Sequence, residues 1–265
     1  KRKFSKALIL TFMVVFFYFP ILLLILFSFN EAKSLTEFTG FSLKWYEQVF
    51  KSRDMLNAVQ TSVTIALLST FISTIVGTIA AIGLSKSKRV FREILLSVNN
   101  LPVMNPDIVT AIGLILLFVS MGFNRGYSTL LIAHIAFSTP YVILAVLPKI
   151  RTLDSNLIDA AMDLGATPTN ALFKVILPQI APSIVSGALI AFSMSFDDFV
   201  ISYFVSGDGV KNISMIVYSM SKRIDPSINA LSSLVIFVIT AVLIVINVVP
   251  IIREKTVKKG KVEFE

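Results

Sequence analysis

The sequence predicts an all-α polytopic membrane protein with six transmembrane helices. Of its 265 residues, 55% are hydrophobic and only 15% are charged, and the mean hydropathy is +0.82. A soluble domain is about 45–50% apolar and about 25% charged, so the polar side chains here are too few to cover a water-soluble globule. The chain also lacks cysteine, which excludes a disulfide scaffold, a thiol enzyme and a cysteine-ligated metal site.

Each predicted span is a long apolar run, because a bilayer core about 30 Å thick needs about 20 apolar residues of helix. Apart from tyrosines, the fourth run carries His134 as its one ionisable residue, and the fifth run is interrupted only by Asp197 and Asp198. The third is interrupted by Pro102 and Pro106 and is predicted to be discontinuous. The first is too long for a signal peptide, so we expect it to be retained. The six runs cover residues 7–29, 58–84, 94–121, 127–148, 180–205 and 230–252.

The placement of lysine and arginine predicts the orientation of these spans. Six spans put both termini on one side, and 16 of the 24 Lys and Arg fall on that side. The side with more Lys and Arg is cytoplasmic, so both termini are predicted to be inside the cell. The topology thereby explains the net charge of +8. The charge therefore does not indicate binding to nucleic acid, and the expected partner of these basic loops is the lipid bilayer.

The predicted cytoplasmic loop over residues 149–179 is unusually long and has the pattern of two short helices. Asp154 or Ser155 can cap the first helix, Thr167 can cap the second, and Pro178 is expected to end the second. Such a pair can dock into a groove of another protein or lie on the lipid surface, and periodicity does not separate these alternatives. One small apolar face recurs with helical spacing, at Leu157, Ala160, Ala161 and Leu164.

The same loop resembles the EAA loop of type I ABC importer permeases. The family pattern is Glu-Ala-Ala, three residues, Gly, nine residues, and Ile-x-Leu-Pro; here Asp159 replaces the Glu and Val175 replaces the Ile. The resemblance implies the MetI-like permease fold, one permease domain over residues 1–265, and a coupling loop in residues 149–179 that sits in a cleft of a separate ATP-binding subunit. It implies that the coupling residues are Asp159, Ala160, Ala161, Gly165, Leu177 and Pro178.

The sequence contains no motif of its own for ATP. The pattern G-x-x-x-x-G-K-[ST] is absent, and the nearest glycine cluster, residues 207–209, falls in a predicted outer loop. We therefore expect no catalytic residue, metal or cofactor in this chain, with ATP and magnesium bound by a partner ATPase subunit.

Three aspartates at bilayer depth are the candidate substrate-pathway residues. An ionised side chain there costs about 2.5–3.5 kcal/mol on insertion scales, so such residues are functional candidates by default. Asp197 and Asp198 are about 100° apart on one helix, so we expect one to face the pathway while the other pairs with a lysine or a backbone donor. Asp107 begins a short half-helix and could instead cap it. No lysine or arginine lies within the spans, which favours a cationic solute.

Aromatic residues near the outer side are further candidates for the substrate pathway. Trp45, Tyr46, Tyr141 and Tyr203 could add cation–π and hydrogen-bond contacts to a cation. The alternative for Trp45 and Tyr46 is an interfacial aromatic belt. His134 is expected to be a hydrogen-bonded packing residue rather than a proton relay.

Two segments, residues 105–109 and 196–207, resemble the spermidine/putrescine permease subunits of the C type. The resemblance implies a bacterial inner-membrane importer of polyamines with a second, related permease subunit, an ATPase dimer and an extracytoplasmic polyamine-binding protein. The alternatives are an ion-gradient-driven secondary transporter and an ABC permease for another small solute. A membrane-embedded enzyme has little support, because the sequence has one histidine and no metal-ligand spacing.

Overall fold

The computed structural model describes residues 2–34, 36–154, 156–221, 225–241 and 244, and the regular secondary structure of this part of the chain is helical apart from one isolated antiparallel bridge. A π-helical turn, Leu172–Ile176, joins the helices Pro168–Ala171 and Leu177–Asp197. The chain divides into a terminal unit, Lys1–Leu56 with Val217–Glu265, and a second unit, Asn57–Ile216. The helices are α1 (Arg2–Ser28), α2 (Lys44–Lys51), α3 (Arg53–Lys86), α4 (Arg89–Met104), α5 (Asp107–Ser120), α6 (Tyr127–Arg151), α7 (Leu157–Asp163), α8 (Pro168–Ala171), α9 (Leu177–Asp197), α10 (Val200–Val205), α11 (Ile213–Ser221) and α12 (Ser227–Ala241).

Four helical stretches of the described chain are long and apolar enough to cross a bilayer: α1, α3, α6 and Pro168–Asp197. The pair α4 and α5 would make a fifth, bent by 107° at the break between them. This break lies in the third predicted span, where Pro106 lacks an N–H and disfavours a helical Asn105. The sixth predicted span, residues 230–252, falls only partly within the described residues, in which α12 is a shorter apolar helix.

Helix α6 forms the core of the 57–216 unit, and 11 of its residues are buried. Glycines on two neighbouring helices allow close packing against one residue of α6. A Cβ on Gly77 of α3 would lie 2.7 Å from Val142 Cβ, and a Cβ on Gly187 of α9 would lie 3.3 Å from Val142 Cα. Small residues allow such close approach between membrane helices, where van der Waals packing drives association.

In the terminal unit, the buried side chain of Asn30 organises the loop between α1 and α2. Its amide donates to the carbonyls of Ser34 and Glu37 at 3.1 and 2.8 Å, and its Oδ1 accepts the Thr39 N–H at 2.9 Å. Asn30 also forms the isolated bridge with Phe41. These bonds replace regular secondary structure as partners for the loop backbone.

Candidate functional site: an acidic helix break

The fifth predicted span is broken at its aspartate pair. Helix α9 ends at Asp197, Asp198 has an extended ψ of 127°, and α10 begins at Val200. The Asp198 carboxylate then accepts the free N–H groups at the start of α10, from Ile201 at 3.2 Å and from Ser202 at 2.7 Å. An aspartate accepting these N–H groups stabilises a helix start that would otherwise have unsatisfied donors.

Asp198 also belongs to a buried hydrogen-bond network. Its side chain is only 7% exposed and lies 3.5 Å from Nε2 of His134, which is 1% exposed. The Ser202 hydroxyl donates to Asp198 Oδ2 at 2.8 Å and lies 3.0 Å from His134 Nε2. Because the Ser202 proton is used on the carboxylate, His134 Nε2 is the donor in its contact with Ser202. This is the packing role that the sequence favoured for His134.

The network joins helices α3, α6, α9 and α10. On its other side, His134 Nδ1 lies 2.6 Å from the Ser195 hydroxyl, which lies 2.9 Å from the Ser69 hydroxyl. Every one of these polar groups is buried and has a partner, as a low-dielectric interior requires. The network therefore fixes the position of the helix break.

Asn212 is a supporting residue that the sequence reasoning missed. Its amide donates to the Asp198 carbonyl at 2.7 Å and to the Ser202 hydroxyl at 2.9 Å. Its Oδ1 accepts the Met215 N–H at 2.9 Å, which caps α11. An asparagine followed by an apolar helix is a recognisable capping signal, but nothing in the sequence indicates its second contact with the break.

Asp197 has a different environment from its neighbour. It is exposed, and its backbone carbonyl accepts the Ser214 hydroxyl at 3.1 Å. Asp107, the first residue of α5, is also exposed. Its helix lies near the end of α9 and near Tyr141, because Met194 and Tyr141 both pack against the apolar cluster that contains Ala111. No side-chain capping bond forms at the start of α5. The structure thus brings together two of the predicted pathway acids and one predicted aromatic.

The remaining predicted aromatics lie in other surroundings. Tyr203 on α10 is 54% exposed, and its ring packs against Phe199 at 5.5 Å between centroids. Trp45 and Tyr46 belong to the terminal unit. The Trp45 indole N–H donates to the Asn30 carbonyl at 2.7 Å, so this donor is already occupied.

Tyr46 and Trp45 both pack into the loop that follows α1. The Tyr46 hydroxyl lies 2.7 Å from the Ser28 hydroxyl, and its ring packs on Phe29 at 5.1 Å. The Trp45 ring already carries a cation, because the Lys44 ammonium lies 4.7 Å from its centroid. These contacts give both aromatics a structural role in the loop.

The predicted coupling loop, residues 149–179, forms two short helices, as its pattern predicts. Gly165 ends α7 in the left-handed region, with φ +85, and the Ala166 N–H bonds back to the Ala161 carbonyl at 3.0 Å. Thr167 caps α8 by accepting the Asn170 N–H. Asp159 and Ala160 are exposed, whereas Ala161 is half-buried.

Two details of the loop prediction were wrong. The cap of α7 is Asn156, whose N–H bonds to Asp154 Oδ1 at 2.9 Å, so Asp154 forms a turn before the helix; Ser155 lies outside the described residues. Pro178 does not end a helix but lies at the start of α9, after Leu177. Pro178 has no N–H to donate, and a π-helical turn precedes it. In this turn the Leu177 N–H bonds to the Leu172 carbonyl, five residues earlier.

In the described part of the chain, no group of three or more His, Cys, Asp or Glu could hold a metal ion. Apolar helices long enough to span a membrane, a break at an acidic pair and a loop of two short helices are together typical of a helical membrane transport protein. A family model described as "Binding-protein-dependent transport system inner membrane component" matches residues 73–254. The chain belongs to this family, and it is the permease component rather than a catalytic subunit.

Curated relatives narrow the comparison to polyamine systems. The chain is 39% identical to the putrescine transport system permease protein PotI of Escherichia coli K12, over 87% of this chain and 85% of PotI. It is 36% identical to the spermidine/putrescine transport system permease protein PotC of Haemophilus influenzae, over 88% and 90%. The resemblance found in the sequence is thereby confirmed.

Solved structures support the fold. A bacterial alginate ABC transporter in complex with a pentasaccharide-bound periplasmic protein contains a chain with TM-score 0.70, at 16% identity, covering 93% of each chain. The MetNI methionine ABC transporter contains one with TM-score 0.60, at 21% identity, covering 77% of this chain and 98% of that chain. The predicted MetI-like permease architecture therefore agrees with these similarities.

Proposed function

We propose that this chain is a permease subunit of an ATP-driven importer that moves polyamines across the bacterial inner membrane by alternating access. The named activities of its relatives support the substrate class. The partners would be a dimer of ATP-binding subunits that binds ATP and magnesium, a second related permease, and an extracytoplasmic polyamine-binding protein.

The observation that carries the substrate proposal is the exposed pair of acids, Asp197 and Asp107, beside Tyr141. Among the residues that the structure describes, neither acid forms an ion pair, although each costs free energy at bilayer depth. A protonated amine passing between α5 and the end of α9 would supply the missing counter-charge. Asp198, by contrast, is already satisfied by the α10 donors.

The proposed topology has six spans and cytoplasmic termini. The excess of Lys and Arg on the side of the termini supports it. On that side lies the coupling loop, where Leu164 is 91% exposed beside the exposed Ala160. We infer that this face docks into the ATP-binding subunit, and that Asp159 and Gly165 set its shape.

The test is uptake of labelled putrescine and spermidine in a strain that carries only this importer. Asp197→Asn and Asp107→Asn should each lower uptake about tenfold, because a contact between charged groups contributes about 1.5–3 kcal/mol. The matched control is Asp208→Asn, which removes an exposed acid from the loop after α10 and should leave uptake unchanged.

ATP coupling is tested in the same strain. Deleting the ATPase partner or adding vanadate should stop uptake, whereas an ion-gradient transporter would continue. Normal uptake by both Asp197→Asn and Asp107→Asn would overturn the substrate pathway, and uptake without the ATPase would overturn the mechanism.

A further inference from the structure

A cavity of about 350 Å³ opens in the 57–216 unit beside the coupling loop, and its polar lining is basic. Its cations are Lys86 in the last turn of α3, Arg92 in α4 and Arg151 in the last turn of α6. Among the lining residues that the structure describes, Asp154 is the only acid, so this lining carries an excess of positive charge. The apolar side chains of the lining are Ile82, Ile150, Leu153, Ile158, Leu172 and Ile176.

These three cations have no ion-pair partner among the described residues, although nearby acids exist. Arg89, one turn before Arg92, pairs with Glu93 at 2.7 Å. The Asp154 carboxylate instead accepts the Asn156 N–H. Three unpaired cations around one partly apolar cavity repel one another, so the cavity has the electrostatic character of an anion site.

Helix dipoles explain only two of these positions. Lys86 and Arg151 lie at the C-terminal ends of α3 and α6, where a cation is stabilised by the partial negative charge. Arg92 lies at the positive end of α4, which begins at Arg89 and has no acid in its first turn. The half-buried Arg92 is therefore in an unfavourable place unless an anion is present.

A second cavity, of about 420 Å³, shares Arg151 with the first and is otherwise apolar. Its other lining residues are Leu96, Leu144, Leu147 and Pro148, on α4 and α6. A basic cavity that adjoins an apolar one fits a ligand with an anionic head and a hydrocarbon chain. It fits free phosphate poorly, because free phosphate would leave the apolar cavity empty.

We propose that these two cavities bind an anionic phospholipid. Its phosphodiester lies among Lys86, Arg92 and Arg151, and one acyl chain lies between α4 and α6. Basic pockets between membrane helices on the cytoplasmic side bind such headgroups. The assignment to the cytoplasmic leaflet rests on the proposed topology. Because Ile158 of α7 and Leu172 line the same cavity, the lipid contacts the coupling loop from inside.

The test uses the full chain in its complex, in mild detergent, and measures bound lipid by native mass spectrometry. The probes are phosphatidylglycerol, phosphatidylcholine with the same acyl chains, and inorganic phosphate as a competitor. Wild type should bind phosphatidylglycerol well above phosphatidylcholine. Arg92→Gln with Arg151→Gln should weaken that binding about 30-fold, from the free energy of two interfacial cations. The matched control is Lys88→Gln with Arg89→Gln, which removes the same charge outside the cavities and should bind as wild type.

Three results would overturn the lipid site. Equal binding by the two double variants would show that the cavity cations are not used. Displacement by millimolar inorganic phosphate would identify a free anion as the occupant. Absence of bound phosphatidylglycerol from the wild-type complex would show that no such lipid occupies the cavities there. None of these measurements requires polyamine uptake, so the lipid site and the proposed function succeed or fail separately.

Discussion

Neutralising the two adjacent aspartates should have different effects: Asp198→Asn should lower the stability of the protein, whereas Asp197→Asn should lower uptake without changing stability. Asp198→Asn places an amide where the carboxylate now accepts the Ile201 N–H, the Ser202 N–H and the Ser202 hydroxyl. Whichever way the amide turns, its NH₂ group faces at least one of these donors, so a bond is lost as well as a charge. Asp197→Asn removes an exposed carboxylate that caps no helix.

The size of the Asp198→Asn effect follows from its partners. A buried donor left without an acceptor costs about 1–3 kcal/mol, and the bonds that remain weaken by about 1 kcal/mol each when their acceptor loses its charge. Part of this loss in the free energy of unfolding is offset, because the neutral asparagine has a smaller desolvation penalty than the buried carboxylate. We expect a net loss of about 2 kcal/mol, which lowers the melting temperature by about 4–8 °C for a chain of this size. Asp197→Asn should change stability by less than about 0.5 kcal/mol.

The assay is thermal unfolding of each variant in lipid nanodiscs, read beside putrescine uptake. Asp198→Asn should melt early, and its uptake should fall in proportion to the folded protein. Asp197→Asn should melt with wild type and still lose uptake. Equal melting temperatures for the two variants, or an early-melting Asp197→Asn, would refute the division of roles between the two acids.

Two further predictions concern glycines. Gly77→Ala should destabilise the permease by about 1–2 kcal/mol, because its Cβ would lie 2.7 Å from Val142 of α6. The control is Gly83→Ala on the same helix, whose Cβ would meet nothing within 4 Å and which should stabilise the permease by about 0.5–1 kcal/mol. Melting in nanodiscs measures both, and equal effects would contradict the close packing. Gly165→Val, at φ +85 with open space around its Cβ, should abolish uptake while the subunit stays in the membrane, and Gly165→Asn should retain uptake. Normal uptake by Gly165→Val would contradict its role in coupling.

The spans were predictable because the bilayer leaves the backbone few alternatives. Uncharged runs near residues 7–29, 58–84 and 127–148 became α1, α3 and α6. The third run was expected to break at Pro102 and Pro106; it breaks at Pro106, before Asp107, whereas the expectation for Pro102 was wrong, because Pro102 lies within α4. Hydropathy locates these elements because an unsatisfied backbone group in hydrocarbon costs several kcal/mol.

The break after Asp197 was not predicted, because its causes are not visible in the apolar pattern, which continues through residues 199–205. Asp198 stabilises the break locally, by accepting the N–H groups of Ile201 and Ser202. Further partners of Asp198 come from His134 on α6 and from Asn212, which lie outside α9 and α10. The π-helical turn before Pro178 was likewise missed, because a proline at this spacing more often ends a helix than begins one after a bulge.

The break also changes what two adjacent acids can do. On a continuous helix, neighbouring side chains differ by about 100°, so one acid of the pair would face packed helices without compensation. Because α9 ends between them, the Asp198 carboxylate turns to the N–H groups of α10, and Asp197 keeps its place on α9 beside Asp107. Asp198, whose carboxylate is satisfied by hydrogen bonds, is thus the acid that stabilises the break. The other acid, Asp197, forms no ion pair with the described residues, which leaves its charge available to a mobile cation.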